Sequence, residues 1–108
     1  MIRATIRMLI PVGKQKEALE ILNSMVEEIQ FETGCISCRL YRGVKDNRAI
    51  MVEELWECEE DVRRHLRSKK YGKILMVIEM ASEFPEIRFD IISGSSGVET
   101  IEQARSVA

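Results

Sequence analysis

The sequence has little of what several large classes of protein require. Its 108 residues include one histidine, one tryptophan, two prolines and three cysteines, and the formal net charge is -2. An odd number of cysteines argues against a disulfide framework. A small net charge gives no general attraction to nucleic acid or to an anionic membrane. No apolar run approaches the roughly 20 residues that span a bilayer. We therefore expect no nucleic-acid partner and no membrane partner.

The first residues also lack the basic region and apolar core of a secretory signal, which favours a cytoplasmic location. The one concentration of positive charge, at residues 63–70, directly follows the acidic residues 59–61. Acid at the start and base at the end are typical of a helix, because both signs then complement the helix dipole. This interpretation favours a solvated helix end over a phosphate site.

What the sequence does have is a regular succession of strand and helix patterns. Alternation of apolar and polar residues predicts strands, and an apolar stripe with a period of 3.6 residues predicts helices. The predicted strands cover residues 2–10, 35–42, 49–57 and 86–92, and the predicted helices cover 14–31, 59–67 and 71–80. The first helix has an apolar stripe made of Ala18, Leu22, Met25 and Ile29, and the third has one made of Tyr71, Ile74, Leu75 and Ile78. On the second strand, alternation places Ile36, Cys38 and Leu40 on one face. The order β-α-β-β-α-β, with its second helical arm in two pieces, predicts a ferredoxin-like α+β fold with an antiparallel sheet.

Residues 1–92 make up this predicted domain, and residues 93–108 form a flexible linker with a short C-terminal helical tail. The tail places Val98, Ile101, Ala104 and Val107 at near-helical spacing. Because such a stripe is too small to hold a helix alone, we expect the tail to dock on another surface.

One face of the predicted sheet carries no helices, and its composition is mixed. By alternation this face holds Arg3, Thr5, Arg7, Leu9, Ser37, Arg39, Tyr41, Met51, Glu53, Leu55, Arg88, Asp90 and Ile92. Arginine, methionine and aromatic side chains together are typical of a protein interface. Homodimers are the commonest assemblies, so we expect a homodimer formed through this face.

Four segments occur in an order and spacing that resemble the antibiotic biosynthesis monooxygenase (ABM) family over about residues 1–92. The segments are Phe31-Glu32-Thr33-Gly34-Cys35, Leu40-Tyr41, Glu54-Leu55-Trp56-Glu57 and His65-Leu66-Arg67-Ser68. The resemblance implies a dimeric α/β barrel. Some members of the family oxidise quinols or polycyclic phenols with O₂ and without metal or flavin, and others degrade haem. The haem-degrading members have a histidine where this chain has Leu75 and an asparagine on the first strand, which reads Thr5-Ile6-Arg7, so the sequence argues against haem degradation.

Three residues are candidates for a catalytic site. His65 is the only histidine, so any histidine-based proton transfer must use it. Trp56 is a candidate wall for an aromatic pocket, and Tyr71 is a candidate donor to a substrate oxygen. Each also has a simpler interpretation: a locally bonded histidine, a core or interface tryptophan, and a half-buried tyrosine.

Glu54 and Arg88 are candidates for substrate binding. Glu54 shares a strand face with Trp56 and, if buried, needs a partner, for which an arginine is the expected choice. Cys35 and Cys38 form a C-x-x-C pattern, but one histidine and one cysteine pair supply too few ligands for a zinc site. We expect no metal.

The first functional hypothesis is a cofactor-independent monooxygenase that acts on a small aromatic, quinol-like substrate. In it, His65 accepts or relays a phenolic proton, Tyr71 orients an oxygen, and Trp56 walls the ring. The alternative is a non-catalytic dimeric module, either stress-associated or one that binds a small apolar molecule. A third interpretation is purely structural, with the pocket closed by side chains.

Overall fold

Four strands form one antiparallel sheet in the order β2-β3-β1-β4. The structure, a computed structural model, describes residues 1–106. Its elements are β1 (Ile2–Leu9), α1 (Val12–Ile29), β2 (Cys35–Arg42), β3 (Ala49–Trp56), α2 (Glu59–Arg67), α3 (Tyr71–Glu79), β4 (Glu86–Ile91) and α4 (Val98–Ser106). The predicted ferredoxin-like α+β fold is confirmed, including the division of the second helical arm into α2 and α3.

The core lies between α1 and the sheet. The predicted α1 stripe, made of Ala18, Leu22, Met25 and Ile29, is completely buried. It packs against the inward side chains of β1 and β3 in a single apolar cluster. Because each fully buried aliphatic side chain contributes about 1.5–3 kcal/mol, this interface fixes α1 on the sheet.

The register confirms which residues lie on the helix-free face. Arg7 lies opposite Met51 on β3, and Met51 lies opposite Tyr41 on β2. On the other side of β1, Thr5 lies opposite Arg88. These rows contain only residues predicted for the open face, while Ile2, Ala4, Ile6 and Met8 of β1 are buried beneath the helices.

A β-bulge at the start of β2 corrects one part of the prediction. Cys35 lies opposite Trp56, but the next residue in register is Ser37, so Ile36 is an extra residue. In a regular strand Cys35 and Cys38 would point to opposite faces. The bulge brings both to the helix side, and Ile36 is exposed rather than sharing a face with Cys38.

The second helical arm covers the sheet only partly. In α3, Ile74 and Val77 are completely buried, whereas Leu75, predicted for the buried stripe, is half exposed. On β4, Phe89 and Ile91 point to the helix side and are nonetheless exposed, at 48% and 84%. An edge strand therefore carries apolar side chains beyond the reach of the helices.

The helix α4 follows the linker 92–97 and has no buried residue. The predicted tail stripe is represented by Val98, Ile101 and Ala104, which are all exposed. Val107, the fourth member, lies outside the described residues. None of the helices within residues 1–106 is long and apolar enough to cross a membrane.

Candidate functional site

His65 is presented to the core by α2. This helix begins with three acidic residues, Glu59–Asp61, and ends with basic ones, as its dipole favours. Val62 and His65, three positions apart, lie on its inner side. The hydroxyl of Ser68 donates a hydrogen bond of 2.6 Å to the His65 carbonyl where the helix ends. The imidazole is completely buried, so both of its nitrogens need partners.

Two carboxylates hold the imidazole from opposite sides. Nδ1 of His65 lies 3.0 Å from Oε2 of Glu32, in the turn after α1. Nε2 lies 3.2 Å from Oε2 of Glu54, on β3. The Glu32–His65–Glu54 relay, as we name these three side chains, therefore joins α2 to the turn and to the sheet.

The relay favours a protonated imidazole. Burial alone would lower the pKa of His65, but the hydrogen bonds and charges of Glu54 and Glu32 outweigh burial, and the pKa is raised. Ionised carboxylates only accept hydrogen bonds, and only the imidazolium can donate from both nitrogens at once. The site can therefore store and exchange a proton between buried groups.

Trp56 and Tyr71 enclose the relay. The rings of Trp56 and His65 have centroids 4.7 Å apart, and Tyr71 meets the imidazole edge-on at 5.1 Å. Trp56 also donates from Nε1 to Oε1 of Glu54 at 3.0 Å. Glu54 is thus satisfied by Trp56 and His65, and the expected arginine partner is wrong. Burial, followed by the charge of Glu54, raises the pKa of Tyr71 to about 12, so its hydroxyl remains a donor near neutral pH.

The turn after α1 fixes the position of Glu32. Its amide donates to the Ile29 carbonyl at 2.9 Å, and its carbonyl accepts from Cys35 at 3.1 Å. Gly34 completes the turn with φ of 82°, a left-handed conformation that favours glycine. A β-carbon at Gly34 would also collide with the side chain of Asp61 on α2.

A polar depression opens beside Glu32, with a volume of about 320 Å³. It is lined by Glu28, Phe31, Glu32, Thr33, Asp61, Arg64, His65 and Lys70. Glu32 is the most accessible member of the relay, with 15% of its side chain exposed, against 0% for His65 and 5% for Glu54. Trp56 and Tyr71 do not line this depression. They lie behind it, against the imidazole.

A second, apolar groove of about 270 Å³ lies on the other flank of α2. Its apolar lining consists of Ile2, Val62, Leu66, Phe89 and Ile91. Ile2 lies opposite Trp56 in the sheet, so this groove and the polar depression are separated by α2 and the side chains beneath it.

Arg88 is the one candidate residue that the structure keeps apart from the others. It lies on β4, on the helix-free face, and pairs with Asp90 at 3.2 Å. The relay lies on the opposite face of the sheet. The structure therefore brings together His65, Trp56, Tyr71 and Glu54, but not Arg88.

The two β2 cysteines lie on the same side of the sheet as the relay. Burial, then the charges of Glu54 and Glu32, raises the pKa of Cys35 to about 11 and that of Cys38 well above the ordinary range. Both thiols are therefore protonated near neutral pH and are poor nucleophiles. Within residues 1–106, no group of three or more histidine, cysteine or acidic side chains is arranged to hold a metal ion.

Glu32 is the site residue that the sequence analysis missed. It stands in the Phe31–Cys35 segment that carries the family resemblance, so a signal was present. Its role could not be read from spacing, because Glu32 and His65 are 33 residues apart and meet only through the packing of α2 beside the turn that follows α1.

Fold and sequence together identify the class of protein. The antiparallel sheet with α1, α2 and α3 on one face defines a ferredoxin-like α+β domain. The family model described as antibiotic biosynthesis monooxygenase matches residues 1–75. The chain therefore belongs to the antibiotic biosynthesis monooxygenase family. Among curated proteins, no relative matches it.

Several solved structures share this fold. A conserved protein from Methanosarcina mazei Go1 has a TM-score of 0.77 and 24% identity, covering 82% of this chain and 89% of that one. A crystal structure named antibiotic biosynthesis monooxygenase has a TM-score of 0.79 and 14% identity, covering 87% and 100%. Rv0793 from Mycobacterium tuberculosis has a TM-score of 0.80 and 15% identity, covering 89% and 98%. At these identities the likeness is one of fold.

Proposed function

We propose that the protein is a cofactor-independent monooxygenase that acts on a small aromatic, quinol-like substrate. The observation that carries the proposal is the buried Glu32–His65–Glu54 relay, which reaches a surface depression through Glu32. Family membership supports a monooxygenase, and the relay supplies the proton transfer that such a reaction needs.

The reaction needs no electron donor other than the substrate. A quinol and O₂ give a hydroxyquinone and water: one oxygen atom enters the ring and the other leaves as water. The substrate supplies all four electrons, two from the quinol-to-quinone step and two from the C–H bond that is replaced. Removing the phenolic proton makes the ring electron-rich enough to pass an electron to O₂, so the protein mainly provides a base and an enclosed site.

Each member of the relay has a distinct proposed role. Glu32 accepts the phenolic proton, because it is the most accessible of the three. His65, held as an imidazolium, donates to Glu32 across their 3.0 Å contact and keeps that carboxylate in place, and Glu54 accepts from the other ring nitrogen. Tyr71 does not line the depression, so its proposed role is to keep the imidazole in position through their edge-on contact. Trp56 likewise holds the imidazole and Glu54 in place, through its ring contact and its hydrogen bond.

Oxygen consumption by purified protein, measured with a panel of quinols, tests the activity. We expect Glu32→Gln and His65→Gln each to lower kcat by about 10²- to 10⁴-fold, the usual contribution of a positioned base. Glu28→Gln is the matched control, because Glu28 lines the same depression and has no hydrogen bond to His65. Full activity in His65→Gln would remove the mechanism, and no uptake with any quinol would remove the enzymatic proposal.

One observation favours the alternative of a binding module without turnover. The apolar groove beside α2 is open and lined by Phe89 and Ile91, whereas His65 is enclosed. Such a module predicts that a small apolar molecule raises the melting temperature while no oxygen is consumed. Loss of this stabilisation in Phe89→Asp, with oxidation absent, would select the alternative.

We also propose that the protein forms a homodimer through the helix-free sheet face. This face combines the exposed Tyr41 with the half-buried Met51 and Leu55, and it carries Arg3 beside Glu53 at 4.0 Å. Apolar, aromatic and arginine side chains on one surface suit an interface between two copies.

Sedimentation measurements test the dimer. A charge on this face, in Leu55→Asp, should convert a dimer to a monomer because the carboxylate would be buried without a partner. Val44→Asp is the control, since Val44 is fully exposed in the loop between β2 and β3. A monomeric wild-type protein at all concentrations contradicts the proposal.

A further inference from the structure

We infer that Phe31 is the binding platform for the aromatic ring of the ligand, which makes the depression beside Glu32 a site for planar hydroxyarenes. The ring would stack on Phe31 while its hydroxyl meets Glu32. The identity of the ligand as a substrate rests on the proposed function, but the binding site can be tested separately.

Phe31 is exposed in a way that the fold does not require. Phe31 is 86% exposed, although it lies only two residues after Ile29, the buried last residue of α1. It lines the same depression as Glu32 and His65. Aromatic rings in proteins contribute most when they cover other apolar surface, so an exposed phenylalanine beside a base is well placed to receive a ring.

The backbone holds the platform and the base in a fixed relation. The Phe31 amide donates to the Glu28 carbonyl at 3.2 Å, and the Glu32 amide donates to the Ile29 carbonyl at 2.9 Å. The two neighbouring side chains therefore diverge from one ordered turn, with one in solvent and the other in contact with His65. A planar ligand lying on the first would present its edge to the second.

The charges around the depression restrict which ligands can bind there. Lys70 lies 3.8 Å from Oε2 of Glu32, and Arg64 is held by Asp61 at 2.9 Å. These cations favour an ionised hydroxyl. Glu28, Glu32 and Asp61 line the same space and would repel a ligand with a phosphate or several carboxylates. A neutral or weakly acidic hydroxyarene fits both requirements. The volume of the depression, about 320 Å³, is at the small end of the range for ligand pockets, so the ligand should be small.

Calorimetric titration of the full chain with 2-naphthol tests the site, and decahydro-2-naphthol serves as its saturated counterpart. We expect Phe31→Ala to weaken 2-naphthol binding about three- to tenfold, and Phe31→Trp to restore it. Phe84→Ala is the matched control, because Phe84 is 90% exposed and does not line the depression. Since Phe31 is exposed, its variants should keep the wild-type melting temperature.

Three outcomes would overturn the inference: unchanged binding in Phe31→Ala, an equal loss in Phe84→Ala, or an equal loss for the saturated compound. The proposed oxidation activity can be contradicted independently of this binding site. Phe31-dependent binding of 2-naphthol without any quinol oxidation would remove the activity and keep the site. Quinol oxidation with an unchanged KM in Phe31→Ala would keep the activity and overturn the site.

Discussion

At the scale of single residues, His65 shows how a polar group can be buried at low cost. Its two nitrogens meet Glu32 and Glu54, and Glu54 meets Trp56, so every polar atom of the relay has a partner. A buried network of this kind is favourable only while it is complete, because each removed partner leaves another group unsatisfied.

The pH dependence of stability should reveal the relay. Since the pKa of His65 is raised above its ordinary value near 6.5, its charge contributes stability fully below pH 6.5 and loses that contribution as pH rises through the folded-state pKa. The difference in melting temperature between wild type and His65→Gln should therefore narrow as pH increases. A difference that widens at high pH would show that the imidazole is buried in its neutral form.

Trp56 should matter for its hydrogen bond as well as for its size. Trp56→Phe leaves Oε1 of Glu54 without its 3.0 Å donor in a buried position, so we expect a loss of about 1–3 kcal/mol in the free energy of unfolding. Urea denaturation measures it. Tyr41→Phe is the control, because the exposed Tyr41 hydroxyl makes only a long bond of 3.4 Å to Glu53. Equal losses in both variants would contradict the assignment.

At the scale of elements, the turn between α1 and β2 determines whether the site exists. Gly34 closes this turn in the left-handed region. Its backbone packs directly against the side chain of Asp61, on α2. The glycine of the sequence motif is thereby explained, since it closes the turn that carries Glu32.

Substitution of Gly34 should be far more damaging than substitution of a glycine in a helix. Gly34→Ala combines an unfavourable φ with a collision at Asp61, and we expect a loss of about 1–3 kcal/mol or more. Gly13→Ala, in α1, meets no atom within 4 Å and should be neutral or stabilising by up to about 1 kcal/mol. Thermal unfolding of both variants measures the contrast, and a harmless Gly34→Ala would contradict this view of the turn.

At the scale of the whole molecule, the tail formed by α4 differs from the body, residues 1–92, because within residues 1–106 only the body has buried residues. The radius of gyration is 16.1 Å, compared with about 13 Å for a compact domain of 100 residues. The larger radius is explained by α4, which lies outside the core and has no buried residue. An isolated helix of nine residues is marginal in water, so α4 is held weakly unless it finds a surface.

Removal of the tail should therefore leave the body unchanged. A chain that ends at Gly94 keeps the bond from the Ile92 amide to the Met1 carbonyl, and we expect its melting temperature to match that of the full chain. Calorimetry at low protein concentration measures it. A clear decrease would show that α4 docks on the domain or on a second copy in solution.

Most of the fold could be predicted because it follows from short-range patterns. The alternation in β1 and the stripe of α1 each have one buried face, and any shift in register would expose it. The bulge at Ile36 could not be predicted, because the segment alternates acceptably without it and only pairing with β3 reveals the extra residue. Leu75 was misplaced because α3 is short and its orientation depends on its contact with α1.

The sequence by itself determined the α+β architecture, the open sheet face and a cluster that includes His65, Trp56 and Glu54, since local periodicity and a family motif carry this information. Only the tertiary structure decided that Glu32 completes the relay, that His65 is enclosed, and that Arg88 lies on the other face of the sheet. The physical reason is distance along the chain: 33 residues separate Glu32 from His65. Contacts of that range depend on how α1, α2 and the sheet pack, which no local pattern records.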